Sequence, residues 1–433
     1  MNITLAYGQT GLNIDLPVSA DVLRPRHVTG LPDEAAAIRA ALASPIGSPA
    51  LADRVKPSQR VVVAHSDITR ATPNERILPV LLGELEAAGV RRENITLLNA
   101  LGTHRKQTPA ELRLMLGDSI VEKYRCLQHD AYDDANLVSL GETSFGHPVR
   151  LSRTLLEANF KILTGFIEPH FFAGFSGGPK GVLPALAGAE SVLTNHGYKM
   201  IGDPKATWGI CKGNPIWEEM REMALKVSSV FLLNVSLNVE KQITGVFTGD
   251  LLSAHRTGRD FVRQNAMVPV SAPYDVVITT NSGYPLDQNL YQTVKGMSAA
   301  SQIVRQGGAI VMAAGCSDGL PDHGQYASLL AEAGSPDVIL EMLARPGFSV
   351  QDQWQVQIQA AIKKKADVYV YSDGLSDEQI RRALFTPCRD ISATVNELVK
   401  KHGPRVCVIP DGPQTIAYLQ QENLATGQRL TVS

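Results

Sequence analysis

The feature that most constrains this chain is an alternation of short apolar runs with helical patterns. Seven β-branched runs are predicted to form strands, at residues 60–65, 95–99, 161–166, 274–280, 308–313, 367–371 and 405–409. Helices are predicted at residues 75–88, 109–116, 251–265, 289–300, 336–344, 353–364, 376–384 and 391–401. The apolar runs are almost continuous, which is typical of parallel strands covered by helices on both faces. The fold class is therefore predicted to be α/β with largely parallel sheets.

The chain is long enough for more than one domain, since 433 residues correspond to about two or three domains. The best candidate boundary is the segment 267–273, where a long helical pattern ends and a new series of strands and helices begins. This cut predicts two Rossmann-like domains, over residues 1–270 and 271–433. Ligands of open α/β sheets bind beyond the carboxyl ends of the strands. Polar residues that directly follow strands are therefore the candidates for a site.

Composition excludes several classes of protein. The 41 lysines and arginines nearly balance the 43 aspartates and glutamates, so the sequence shows no basic footprint for a nucleic-acid partner. No apolar run reaches the roughly 18 residues of a membrane span, so no membrane partner is expected. The five cysteines are scattered without a CxxC pair, which predicts reduced, buried thiols and a cytoplasmic location.

Two loops that follow predicted strands carry polar candidates. The first, HSDITRATPN, places Asp67 and Arg70 before a helix, where an anion could bind; a capped turn explains the same residues equally well. The second, GTHR, places His104 directly after a strand. A histidine there can act as a general base because its ordinary pKa lies near neutrality, but a hydrogen-bonded turn residue is the commoner role.

A third segment, residues 165–181, is too rich in glycine and phenylalanine for an ordinary surface loop. It contains His170 and Lys180 as candidate reactive groups, and Gly177 and Gly178 would let the backbone approach a cofactor closely. Neither the Walker A pattern nor a GxGxxG fingerprint is present. A purely structural aromatic turn is the alternative.

The remaining candidates lie further along the chain. His196, in TNHG, could ligate a metal, but no HExxH motif or cysteine pair accompanies it, and a structural histidine is the commoner case. In the second domain, Tyr291, Gln292 and Lys295 start a helix and could bind a carboxylate, and Trp354 could wall a pocket or pack in the core. Of the other histidines, His65 ends a strand and is a candidate to support the site. Six are expected to be structural or surface residues: His27, His129, His147, His255, His323 and His402.

Taken together, six segments resemble the nickel-pincer lactate racemase family in the same order along the chain: HSDITRATPN, GTHR, EPHFFAGFSGGPKG, TNHG, LYQTVKG and QWQ. The resemblance runs over nearly the whole chain. It implies two α/β domains, the N-terminal one binding the cofactor and the C-terminal one contributing residues that bind the substrate, with the active site in the cleft between them. It also implies a nickel complex of pyridinium-3,5-bisthiocarboxylic acid mononucleotide as cofactor.

The resemblance assigns cofactor roles to individual positions. Lys180 matches the lysine that binds the cofactor covalently, and His196 matches the protein ligand of nickel. The other nickel ligands come from the organic cofactor, which would account for a metal-binding histidine without neighbouring ligands. Asp67 and Arg70 match a pair near the cofactor and the substrate.

The resemblance also implies how the site works. His104 and His170 match a pair of acid/base histidines. The residues that match the family's substrate-binding positions are Arg70, Tyr291, Gln292, Lys295 and Trp354. The implied activity is a racemase or epimerase that inverts the hydroxyl-bearing carbon of a 2-hydroxy acid by reversible hydride transfer. The expected partners are a small 2-hydroxy acid and, transiently, the proteins that synthesise the cofactor.

Several alternatives remain open from the sequence. The substrate could be lactate-like, malate-like, aromatic or a sugar acid. The scaffold could instead serve a dehydrogenase or a lyase with another cofactor, or a homologue that binds a ligand without catalysis. The paired histidines together with Lys180 argue against mere binding, because binding alone does not need an acid/base pair.

Overall fold

The structure is a computed structural model that describes residues 1–321 and 324–420; His323 lies outside the described residues. It is a mixed α/β protein, which confirms the predicted fold class. Among the described residues, no helix is both long enough and apolar enough to cross a membrane.

The chain forms two compact units, each assembled from separate stretches of sequence. The central unit contains His27–Asn195 and Cys211–Gln264. The terminal unit contains Met1–Arg26, His196–Ile210 and the described residues between 265 and 420. Each unit has its own six-stranded sheet.

The sheet of the central unit is parallel except for one edge strand. Its strands lie in the order Ile243–Gly249, Val230–Leu237, Phe160–Phe166, Val61–Ser66, Ile95–Ala100 and Arg125–Gln128, and only the first is antiparallel to its neighbour. Nine α-helices begin among the described residues of the central unit, and the last of them runs two residues past the end of that unit: Glu34–Ala43, Leu51–Arg54, Asn74–Ala87, Pro109–Leu116, Asp118–Lys123, Arg153–Glu157, Ala189–Asn195, Pro215–Leu225 and Leu251–Ala266. Two hairpins lie outside the sheet, Leu137–Glu142 with Pro148–Ser152 and Pro169–His170 with Gly174–Phe175.

The sheet of the terminal unit is parallel throughout. Its order is Thr386–Pro387, Ala366–Tyr371, Val304–Ala313, Tyr274–Thr280, Val406–Ile409 and Asp21–Val22. The helices of this unit are Tyr198–Ile201, Leu290–Ser301, Tyr326–Ala333, Pro336–Leu343, Gln353–Lys365, Asp377–Arg382 and Ile391–His402. Two small sheets complete it, Asn2–Leu5 with Leu12–Asp15 and Met267–Val270 with Ile416–Leu419.

The order of strands in the central sheet fixes where a ligand can bind. The chain runs outward in one direction from Val61–Ser66 and in the other direction from Phe160–Phe166, and these two strands are neighbours. Their shared edge is therefore the topological switch point, where the loops after adjacent strands diverge and leave a crevice. The loops that follow these two strands carry Asp67 and His170.

The division into units differs from the predicted cut at residue 270. The first 26 residues join the terminal unit, because Asp21–Val22 adds an edge strand beside Val406–Ile409 and the first hairpin packs on the apolar face of that sheet. Residues 196–210 join it as well. His196 therefore lies in the terminal unit.

Candidate active site

Asp67 and His104 form a hydrogen-bonded pair at the carboxyl edge of the central sheet. They follow the neighbouring strands Val61–Ser66 and Ile95–Ala100, and the Oδ2 atom of Asp67 lies 2.5 Å from Nδ1 of His104. Asp67 is buried, whereas His104 is 39% exposed. The contact assigns the proton of His104 to Nδ1, because a carboxylate can only accept. The Nε2 atom of His104 is then the nitrogen that can take up a proton.

The electrostatic surroundings keep Asp67 ionised. Burial alone would raise the pKa of its carboxyl group, but the charge and hydrogen bond of His104, with further contributions from Arg70 and Thr69, outweigh burial and lower the pKa to about 2. The Thr69 hydroxyl donates to Oδ1 of Asp67 at 2.7 Å. An ionised, buried carboxylate accepts the Nδ1 proton of His104 and so orients the imidazole.

Arg70 connects the first loop to the segment after the neighbouring strand. Its Nη1 atom lies 3.4 Å from Oε1 of Glu168, and both side chains are about one-fifth exposed. Glu168 lies near the start of the segment 165–181, which carries His170. Its N–H donates to Ser176 Oγ and its carbonyl accepts from the Ser176 N–H, each at 2.9 Å. The loop that carries His170 is therefore closed at its base and joined to Arg70.

His170 is held in a different environment from His104. It is buried, and its Nδ1 atom accepts a hydrogen bond from the Ala173 N–H at 3.3 Å. The rings of Phe171 and Phe172 pack against the imidazole, with centroids 4.9 and 4.5 Å away. Because Nδ1 accepts, the proton of the neutral ring lies on Nε2.

A tight turn carries Lys180. Gly178–Gly181 forms a short 3-10 helix. Gly177, just before it, and Gly178, its first residue, have φ values of +75° and +53°. A Cβ atom on Gly178 would lie 2.4 Å from the ring of His255, and one on Gly177 would lie 2.5 Å from Oδ1 of Asn234. These glycines are thus required by the left-handed turn and by its packing against the protein itself.

Two buried side chains hold this turn, and the sequence did not single out either as a site residue. Oδ1 of Asn234 accepts from the Gly178 N–H at 2.9 Å. His255 contacts the Ser176 carbonyl through Nε2, also at 2.9 Å. Burial, with a smaller contribution from Arg259, lowers the pKa of His255 to about 3, so the ring is neutral and donates its Nε2 proton. His255 therefore stabilises the loop, in agreement with its expected structural role.

Three of the predicted site residues, His196, Trp354 and Tyr291, form a chain of contacts in the terminal unit. The ring of His196 packs edge-on against Trp354, with centroids 5.1 Å apart and an interplanar angle of 83°. The Trp354 Nε1–H donates to the hydroxyl of Tyr291 at 3.1 Å. His196 and Trp354 are both buried. The tryptophan is thus a packed wall between a histidine and a tyrosine.

The other two predicted residues of this unit, Gln292 and Lys295, lie in the first turns of the helix Leu290–Ser301. Nζ of Lys295 donates to Oε1 of Gln292, and Gln292 is buried. The lysine is therefore hydrogen-bonded to the residue three positions earlier in the helix. Tyr291, four positions earlier, is hydrogen-bonded to Trp354 instead. The pair supplies a cation held in place by an amide, which suits a carboxylate ligand.

The described residues contain no group of three or more histidine, cysteine, aspartate or glutamate side chains that could hold a metal ion.

Comparisons with known proteins agree on one family. The family descriptions "Lactate racemase N-terminal domain" and "Lactate racemase C-terminal domain" match residues 7–209 and 270–417. The lactate racemase of Thermoanaerobacterium thermosaccharolyticum is 34% identical over 423 residues, covering 96% of this chain and 99% of that protein. The lactate racemase of Lactiplantibacillus plantarum is 36% identical over 379 residues, covering 87% and 89%.

Solved structures give the same result. The lactate racemase apoprotein of Thermoanaerobacterium thermosaccharolyticum matches with a TM-score of 0.89 and 34% identity, over 96% of this chain and 100% of that chain. A protein from Thermotoga maritima matches with a TM-score of 0.72 over 91% of this chain and 100% of that chain, at 19% identity. The second likeness concerns the fold alone.

Proposed function

The chain belongs to the lactate racemase family and is an isomerase, and from that premise we propose that it inverts the hydroxyl-bearing carbon of a 2-hydroxy acid with His104 and His170 as its acid/base pair. The observation that carries the proposal is the complementary hydrogen bonding of these two histidines. The Nδ1 atom of His104 donates to Asp67, whereas the Nδ1 atom of His170 accepts from the Ala173 N–H.

The chemistry of the substrate explains why two such groups are needed. The C2 proton of a 2-hydroxy acid is weakly acidic beside a carboxylate, so direct deprotonation is difficult. Loss of a hydride from C2, with loss of the hydroxyl proton to a base, gives a planar 2-keto acid instead. Return of hydride to the other face, with a proton from an acid, completes the inversion.

The two histidines suit these proton transfers. His104, with its proton on Nδ1, offers the lone pair of Nε2 to a substrate hydroxyl, and the Asp67 carboxylate stabilises the imidazolium that results. His170 supplies the acid as its imidazolium, which gives its Nε2 proton to the carbonyl oxygen of the keto acid as hydride returns to C2. The hydrogen bond that Nδ1 accepts from the Ala173 N–H belongs to the neutral ring. After one turnover the protonation states are exchanged, which suits the opposite enantiomer. The exposure of His104 lets it exchange its proton with water before the next turnover.

The residues present fit the cofactor of this family. Lys180 is presented on a turn that Asn234 and His255 hold in place, as a covalent attachment point requires. His196 supplies one buried imidazole, and an organic pincer would bring the remaining nickel ligands. When bound, the nickel-pincer pyridinium nucleotide supplies a reversible acceptor for the hydride of C2.

Charged and aromatic side chains would orient the substrate. Arg70 and Lys295 are the cations assigned to the substrate carboxylate and to the cofactor phosphate. Lys295 is already positioned by Gln292, and Arg70 by Glu168. Trp354 and Tyr291 supply flat walls that favour a small or flat substituent at C2.

The test uses protein produced together with the cofactor-synthesis proteins. Lactate, malate, mandelate and gluconate are incubated with it, and the stereoisomers are separated by chiral chromatography. We expect inversion at C2 of at least one substrate, a covalent adduct of a few hundred daltons on the wild type, and no adduct on Lys180→Ala. Lys205→Ala, at an exposed lysine, is the matched control and should keep the adduct. A loaded protein that inverts none of the four acids would overturn the proposal.

A further inference from the structure

The helix Gln353–Lys365 carries an unusual set of buried amides. Glutamines occupy positions 353, 355, 357 and 359, and each is at most 4% exposed. Buried amides lower the stability of a fold unless they are hydrogen-bonded, so their retention inside a packed helix requires specific partners. On an α-helix, positions four apart share a face. Gln353 and Gln357 therefore lie on one face, and Gln355 and Gln359 lie on another.

The first face binds the backbone around His196. The Nε2 atom of Gln353 donates to the carbonyl of His196 at 3.3 Å, and the Nε2 atom of Gln357 donates to the carbonyl of Tyr198 at 2.8 Å. Between these two glutamines, Trp354 packs against the imidazole itself. One helix thus contacts the peptide groups at and beyond His196 together with its ring.

We propose that Gln353 and Gln357 are positioning residues for His196. The inference rests on the proposed function, in which His196 ligates nickel. The two hydrogen bonds fix the backbone from residue 196 to residue 198, and the backbone sets the direction of the Cα–Cβ bond of His196. Trp354 restricts the plane of the ring. Partners of this kind, one step removed from a metal ligand, orient the ligand and raise metal affinity.

The other face of the same helix supplies a matched control. Gln359 is as buried as Gln357, donates to the carbonyl of Ala383 at 2.7 Å, and accepts from the hydroxyl of Tyr326. Neither hydrogen bond involves residues 196–198, although the ring of Tyr326 packs edge-on against Tyr291. Replacing Gln359 therefore removes two buried hydrogen bonds from the same helix, at least as large a loss as at Gln353 or Gln357, without removing a hydrogen bond to the backbone of residues 196–198.

The experiment compares Gln353→Met, Gln357→Met and Gln359→Met in cofactor-loaded protein. Methionine keeps the length of the side chain and removes the donor. Nickel per chain is followed by elemental mass spectrometry during incubation with a chelator, and the organic adduct is followed by intact mass. We expect Gln353→Met and Gln357→Met to lose nickel about tenfold faster than the wild type with the adduct complete, and Gln359→Met to lose it at the wild-type rate.

A second measurement does not depend on nickel. Amide hydrogen exchange of the apoprotein over residues 196–202 should be faster in Gln353→Met and Gln357→Met than in Gln359→Met. Wild-type rates of nickel loss and exchange in the first two variants would overturn the inference, as would equal acceleration in Gln359→Met. A wild type that carries neither adduct nor nickel would overturn the proposed function, and this inference with it.

Discussion

The hydrogen bond between Asp67 and His104 joins a buried carboxylate to a half-exposed imidazole. The sequence places both residues after strands, but it does not show that they meet. They meet because their strands are parallel neighbours in register, with His65 beside Asn99, so the loops that follow start at the same edge. Adjacency of strands far apart in sequence is a property of the sheet, and only the resemblance to a family indicated it beforehand.

Asp67→Asn tests the role of that carboxylate. An amide can present its N–H to Nδ1 of His104, which favours the wrong tautomer and removes the negative charge that stabilises the imidazolium. We expect kcat for inversion to fall by about 10³- to 10⁴-fold, with the covalent adduct on Lys180 unchanged by intact mass. A variant with wild-type kcat would show that Asp67 does not support His104.

His104→Gln and His170→Gln test the pairing of the two histidines. Inversion in either direction needs one group to take a proton and the other to give one. We therefore expect each single variant to lose at least about 10²-fold in both directions, measured by chiral chromatography from each pure enantiomer. A variant impaired in only one direction would contradict the pair.

At the scale of elements, the turn that carries Lys180 depends on its glycines, and a substitution at Gly178 tests this. Gly178→Ala would force a Cβ atom into the ring of His255 at a positive φ, with an expected loss of about 2 kcal/mol of stability and a lower melting temperature. Gly181→Ala is the matched control, because its nearest neighbour would be Leu163 Cδ1 at 3.4 Å, an ordinary contact. Equal melting temperatures for the two variants would contradict this account of the turn.

Buried hydrogen bonds also link the hairpin Leu137–Glu142 with Pro148–Ser152 to the helix Ala189–Asn195, which ends just before His196. Glu219 is fully buried and accepts hydrogen bonds from Thr143 Oγ1, His147 Nδ1 and Asn195 Nδ2 at 2.7, 2.9 and 2.8 Å. The hydrogen bond of Glu219 raises the pKa of His147 above its ordinary 6.5, against the opposing effect of burial. The pairing therefore adds stability that is complete below pH 6.5 and is lost as the pH rises through the raised pKa.

Glu219→Gln removes the charge that raises the pKa of His147. We expect the melting temperature of the wild type to fall more steeply than that of the variant between pH 6 and pH 9, and the variant to be less stable by about 1–3 kcal/mol at pH 6. Glu222→Gln is the control, since Glu222 bonds only to Ser144 in the described hairpin contacts. Parallel pH profiles for the wild type and Glu219→Gln would contradict the linkage.

The elements themselves were predicted well where apolar periodicity is strong. The strand Tyr274–Thr280 and the helix Pro109–Leu116 have the predicted bounds, and the other predicted strands and helices agree to within a few residues. The strands Val230–Leu237 and Ile243–Gly249 were missed. Polar residues such as Asn234 and Ser236 interrupt the apolar pattern of the first because they face tertiary partners.

At the scale of the whole molecule, the division of the chain was the least predictable property. The first 26 residues and residues 196–210 belong with the C-terminal sequence, and pairings such as that of Asp21–Val22 beside Val406–Ile409 leave no local signal. The buried contacts of the helix Gln353–Lys365 were also not predicted from the sequence. Its QWQVQIQ pattern contradicts a simple amphipathic helix, and that mismatch marks a stretch whose polar residues have specific buried partners.

The central claim, inversion at C2 by hydride transfer with protons exchanged through two histidines, is tested most directly with substrate labelled at C2. Cofactor-loaded protein is incubated in ordinary water with one enantiomer of lactate deuterated at C2, and both enantiomers are recovered and analysed by mass spectrometry. We predict that the opposite enantiomer forms with its deuterium retained at C2. Loss of deuterium to water at the rate of inversion would contradict the claim and indicate proton abstraction from C2.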